Sequence, residues 1–106
     1  MTTPEQKIKR KVSALFKQYD VWYFMPASNG YGKAGIPDYV ACVDGRFLGV
    51  ECKADATKKP TTLQIKQGND IMAHGGQWLV VCDDKTLQKL ETVVRTLREL
   101  NNHVGR

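Results

Sequence analysis

Cysteine is scarce and odd in number: Cys42, Cys52 and Cys82 are the three in 106 residues. None stands at zinc-ligand spacing and all lie in apolar, strand-like runs. The expectation is therefore buried free thiols in a reducing cytoplasm, not a disulfide framework or a structural zinc site. Histidine is scarcer still, with His74 at a helix end and His103 in the tail, so neither is a candidate ligand or acid–base group. No apolar run is long enough to span a membrane, and the start, Met-Thr-Thr-Pro-Glu-Gln-Lys, has no apolar signal region. Internal repeats, linkers, zinc fingers, P-loops and recognition-helix signatures are all missing, and no organic cofactor is expected. Acidic residues are the minority, 11 against 16 lysines and arginines, for a net charge of +5. That balance suits a polyanionic partner without identifying one.

What is present is ordinary for a globular protein, 42% hydrophobic and 25% charged. The length fits one domain over residues 1–106. Thr3-Pro4-Glu5-Gln6 reads as a helix start, with Thr3 as cap, Pro4 at the first position and Gln6 closing a capping box. Ile8, Val12, Leu15, Phe16 and Tyr19 follow at helical spacing, and Glu5 shares their face. Val21 to Met25 reads as a strand, then residues 27–35 form a loop with three glycines. Two strands flank Asp44-Gly45. After a lysine-bearing loop, Thr61 or Thr62 caps a second helix that ends at Gly75-Gly76. Gln77 to Cys82 is a buried-type strand. Asp83 or Asp84 then caps a last helix with Leu87, Leu90, Val94, Leu97 and Leu100 as its stripe. The order α-β-β-β-α-β-α, with a helix between the third and fourth strands, predicts a mixed central sheet with helices on both faces.

The chemistry concentrates around the hairpin. Asp-Gly between two β-rich runs is a strong two-residue turn signal. With Asp44-Gly45 as the loop, Val43 faces Arg46, and the register carried outward sets Asp38 opposite Glu51. Facing residues have Cβ atoms about 5 Å apart on one sheet face, and like charges there destabilise the sheet. Lys53, two residues beyond Glu51, points to the same face. Val40, Cys42 and Phe47 share that face and make it largely apolar, so the pair calls for a neutralising cation. Mg²⁺ prefers oxygen ligands, and Asp38, Glu51 and the Cys52 carbonyl supply three. A metal there acidifies water and stabilises charge on a phosphoryl oxygen. Lys53 is placed to orient or deprotonate an attacking water, or to stabilise the transition state. Glu5 is a candidate outer ligand and Gln64 a candidate holder of a water or phosphate.

Pro37-Asp38, twelve intervening residues, then Glu51-Cys52-Lys53, resembles the motif of the PD-(D/E)XK nuclease superfamily. Glu5 on the first helix, the short chain and Thr62-Leu63-Gln64 after the lysine strand look like its VRR-NUC branch, which is similar to archaeal Holliday-junction resolvases. The resemblance covers roughly residues 5–82. It implies the α/β nuclease core and metal-dependent phosphodiester hydrolysis. Glu5, Asp38 and Glu51 would bind Mg²⁺ (Mn²⁺ as substitute), Lys53 would be catalytic and Gln64 would assist. It also implies a homodimer that cuts four-way DNA junctions, in recombination or repair, and places Ser28 where resolvases put a DNA-contacting or catalytic serine. A short stand-alone nuclease suits a phage or mobile element, hence a bacterial cytoplasm.

Each residue also has a plainer reading. Asp38, Glu51 and Lys53 could be a cross-strand ion-pair cluster, Glu5 a helix-terminal acid favoured by the macrodipole, and Gln64 an early-helix polar residue. Lys7, Lys9, Arg10 and Lys11 could be only a solvated helix face. Yet they share a helix with Glu5, and Tyr31, Lys33, Lys58 and Lys59 are placed to flank the same cleft as phosphate contacts. The rival functions are a flap or splayed-arm nuclease, and a non-catalytic domain that binds branched DNA.

Overall fold

The computed structural model describes residues 2–27 and 32–103. Its elements are α1 (Pro4–Gln18), β1 (Trp22–Phe24), β2 (Tyr39–Val43), β3 (Arg46–Cys52), α2 (Thr62–Ala73), β4 (Gln77–Val81) and α3 (Asp84–His103). This is the α-β-β-β-α-β-α order that the pattern predicts. The strands form one sheet in the order β1-β2-β3-β4. The first two pairings are antiparallel and β3–β4 is parallel, with α2 as the crossover.

Local chemistry accounts for the element ends. Thr3 accepts from the Gln6 N–H while the Gln6 side chain accepts from the Thr3 N–H, a complete capping box with Pro4 behind the cap. Thr61 and Gln64 repeat the arrangement at α2. The Asp83 carboxylate accepts from the Thr86 N–H at 2.8 Å and opens α3. Asp44 and Gly45 have φ of 50° and 88°, the left-handed pair that a two-residue hairpin loop needs. That turn sets Val43 opposite Arg46 and Tyr39 opposite Val50.

The sheet's faces differ. Tyr39, Ala41 and Val43 of β2 and Leu48, Val50 and Cys52 of β3 point to one side, where they form the core with Ile8, Val12, Leu15 and Phe16 of α1 and Leu90, Val94 and Leu97 of α3. Tyr39 is fully buried there, its hydroxyl bound to the Lys9 carbonyl at 2.7 Å and to the Ser13 hydroxyl at 2.6 Å. The other face carries Val40, Cys42, Phe47, Gly49 and Glu51. Helix α2 covers only its β3–β4 half, with Trp78 over Gly68 and Ile71 close to Gly49. The β1–β2 half stays open, so Trp22 and Phe24 are exposed; Phe47, at the hairpin end of β3, is exposed as well. The thiols follow this division and depart from the expectation of three buried cysteines: Cys52 is buried, Cys82 partly so, and Cys42 exposed on the open half.

Candidate active site

The hairpin brings Asp38 and Glu51 together as its register requires. Asp38 stands one residue before β2, and its Oδ2 accepts the Cys52 N–H at 2.8 Å. Glu51 lies inside β3, only 2% exposed, and its Oε1 accepts from Gln64 Nε2 at 3.2 Å. Each carboxylate is thus held by one oxygen and offers the other. The offered oxygens differ in surroundings. Asp38 Oδ1 lies 3.7 Å from the Lys9 ammonium. Glu51 Oε2 is buried with no hydrogen-bond partner among the described residues. Burial, followed by the adjacent Asp38 carboxylate, pushes Glu51 up to about 8, and the Lys53 ammonium works against that rise. Burial likewise pushes the Cys52 thiol far up, which makes it an inert packing group.

Gln64 is the early-helix polar residue of its plainer reading and also reaches Glu51. Its Oε1 accepts from the Thr61 N–H at 2.8 Å in the capping box, which directs its amide at Glu51. The start of α2 is fixed in turn by the loop before β2. Gly35 has φ of +80°, and a Cβ there would stand 2.5 Å from the Leu63 carbonyl oxygen. Only glycine permits that approach.

Glu5 is not in direct contact with the pair. Its carboxylate lies 3.4 Å from Lys9 Nζ, so the Lys9 ammonium stands between Glu5 and Asp38. Partial burial opposes the charge on Lys9, but Asp38 and then Glu5 outweigh it and raise its pKa. Among the described residues no group of three His, Cys, Asp or Glu is arranged to hold a metal. Asp38 Oδ1, the orphaned Glu51 Oε2 and the neighbouring Cys52 carbonyl nevertheless fit a hard divalent cation that keeps several waters. Lys53 extends the parallel ladder through its N–H to the Val81 carbonyl, 3.0 Å away, and forms no ion pair among the described residues.

The other basic positions disperse. Lys11 pairs with Asp84 at 2.9 Å, toward α3. Lys7, Lys58 and Lys59 are exposed. Lys33 lines a cleft of about 410 Å³ that also touches Asp38 and Gln64. Ser28 and Tyr31 lie outside the described residues. Sequence reasoning missed the inward turn of Lys9, although the four-residue step from Glu5 was a signal for that half of the bridge.

A comparison with solved structures aligns 83% of this chain with 94% of a protein described as "VRR_NUC domain", with a TM-score of 0.72 and 24% identity. The fold is that of a VRR_NUC domain. No protein-family model matches the sequence, and a comparison with curated proteins gives no match.

Proposed function

We propose that this protein is a metal-dependent, structure-selective DNA endonuclease that resolves four-way junctions as a homodimer. The observation that carries the reading is Glu51: a buried carboxylate with an unpartnered oxygen, set beside Asp38 on the sheet face where Lys53 follows. A fold needing only structure would gain by an apolar residue there. The VRR_NUC-like fold and the net charge of +5 support a polyanionic substrate.

Asp38, Glu51 and the Cys52 carbonyl would hold Mg²⁺, or Mn²⁺ in its place, with no organic cofactor. When bound, the metal supplies charge neutralisation for the scissile phosphate and acidified water. The chain's own groups do the rest. The Cys52 N–H and the Gln64 amide lock one oxygen of each carboxylate, so the free oxygens are pre-aimed. Lys53 orients the attacking water or stabilises the charge that builds on the phosphoryl oxygens. Glu5 acts from outside, through Lys9. A chain with one site must pair to cut two strands, and a two-fold axis fits a symmetric junction.

One observation favours a second reading. With Lys9 standing between Glu5 and Asp38, part of the acidic cluster is already neutralised internally, as a non-catalytic branched-DNA-binding domain would require. End-labelled four-way junction, duplex, flap and splayed-arm DNAs, incubated with Mg²⁺, Mn²⁺ or EDTA, separate the two. Metal-dependent paired cuts in the junction support the resolvase. Cuts mainly in flaps or splayed arms keep the chemistry and change the substrate. Binding without any cutting favours the second reading. Asp38→Asn and Lys53→Ala should each lower the cleavage rate at least ~100-fold while junction binding is retained. Near-wild-type turnover in either would remove that residue from the mechanism.

A further inference from the structure

Outside the carboxylate cluster, a groove of about 650 Å³ runs along α1. Gln6, Arg10, Ser13 and Lys17 form its floor, Met25 contributes a wall, and Lys9 stands in its lining as well. The steps of four, three and four residues put those floor residues on a single helix face. The lining holds three cations and no carboxylate. Arg10 and Lys17 are exposed, and neither forms an ion pair among the described residues. Lys11, on the same helix but outside the groove, is bound to Asp84. The groove therefore holds two uncommitted cations of α1, Arg10 and Lys17, beside the ion-paired Lys9.

The groove leads to the site. Lys9 belongs to both, since its Nζ is 3.7 Å from Asp38 Oδ1. Arg10 and Lys17 are seven residues apart, about 10.5 Å along the helix. Successive phosphates of one DNA strand rise about 3.4 Å along the duplex axis, and their separation along the backbone is longer than that rise. Two long, exposed basic side chains at that spacing each reach a different phosphate of a strand lying along α1. Ser13 lies between them, its hydroxyl already shared with Tyr39, so the floor's middle is polar without adding charge.

We propose that the α1 groove is the track for the phosphodiester backbone flanking the cut. Arg10 and Lys17 clamp two phosphates and Lys9 passes the strand to the carboxylates. This rests on the nuclease reading and adds the direction of the DNA path. Contacts of this kind position a backbone without reading bases, as shape-selective binding requires. Lys17 becomes a DNA-binding residue, and α1 becomes the side of the molecule along which a junction arm lies.

Fluorescence anisotropy of a labelled four-way junction, in EDTA and over a series of salt concentrations, tests it. The proteins are wild type, Arg10→Gln/Lys17→Gln, and Lys85→Gln/Lys89→Gln, which removes the same charge from exposed positions of α3. Thermal melts check that all are folded. The groove variant should bind roughly tenfold or more weakly, and its slope of log K against log salt should be shallower by about two. The α3 variant should stay within about twofold of wild type, with its slope unchanged. An unchanged slope in the groove variant, or equal losses in both variants, overturns the groove assignment and leaves the nuclease reading standing. Wild-type protein that binds no junction overturns the groove assignment and the junction as substrate, and leaves the nuclease chemistry to the cleavage assay.

Discussion

Replacing Glu51 with Gln should make the metal-free protein more stable at alkaline pH. Glu51 is 2% exposed, and burial together with Asp38 raises its carboxyl from 4.5 to about 8. In the unfolded chain the same group titrates near its ordinary value. Between those two values the folded protein keeps a proton that the unfolded chain has lost. Stability is therefore fully present below the ordinary pKa and declines as pH rises toward 8. By pH 8 a shift of this size corresponds to on the order of 4 kcal/mol. Gln keeps the shape, keeps an oxygen for the Gln64 amide and carries no charge. Recovery of only a quarter of the effect, about 1 kcal/mol, shifts the melting temperature of a domain this size by about 4–8 °C. Calorimetric melts in EDTA at about pH 4 and pH 8.5 bracket the window. Glu51→Gln should match wild type at the lower pH and melt at least ~4 °C higher at the upper. Mg²⁺ should raise the wild-type midpoint at the upper pH and leave the variant where it is, because ligand that binds only the folded state adds stability. A variant that melts below wild type at both pH values would refute the idea that an uncompensated buried charge strains this site.

Lys9→Met should bind Mn²⁺ roughly three- to tenfold more tightly by titration calorimetry, because a competing half-exposed cation near Asp38 is removed; an unchanged affinity would show that Lys9 does not compete with the metal. Tyr39→Phe deletes a buried hydroxyl bound to Ser13 and to the Lys9 carbonyl. Urea unfolding should report a loss of about 1–3 kcal/mol, and a loss below that range would mean the Lys9 carbonyl finds water instead. Gln64→Ala removes half of a capping box and the donor to Glu51. It should cost about 1 kcal/mol in the same assay, and a stability equal to wild type would demote both contacts.

Much of the fold and half of the candidate site were legible in the chain because their determinants are local. Asp44-Gly45 sets a turn, the turn sets a register, and the register puts Asp38 and Glu51 on one sheet face. The threonine–glutamine boxes likewise declare where α1 and α2 begin. Tertiary packing decided what periodicity does not encode. Helix α2 covers only half of its sheet face, so Glu51 is sealed while Cys42, of the same face, is exposed. Whether a residue on an apolar sheet face meets water depends on where the next layer ends, and that follows from the crossover's length and path. Helical periodicity put Glu5 on the inward face of α1, but the distance from α1 to the sheet is set by the core beneath. In the folded molecule that gap holds the Lys9 ammonium between Glu5 and Asp38. The groove arises in the same way. Arg10 and Lys17 share a helix face by sequence, but they become a lined channel beside Asp38 only because Met25, beyond β1, closes one wall. Spacing along the chain determines which side chains share a face; the packing of one face against another determines what each of them meets.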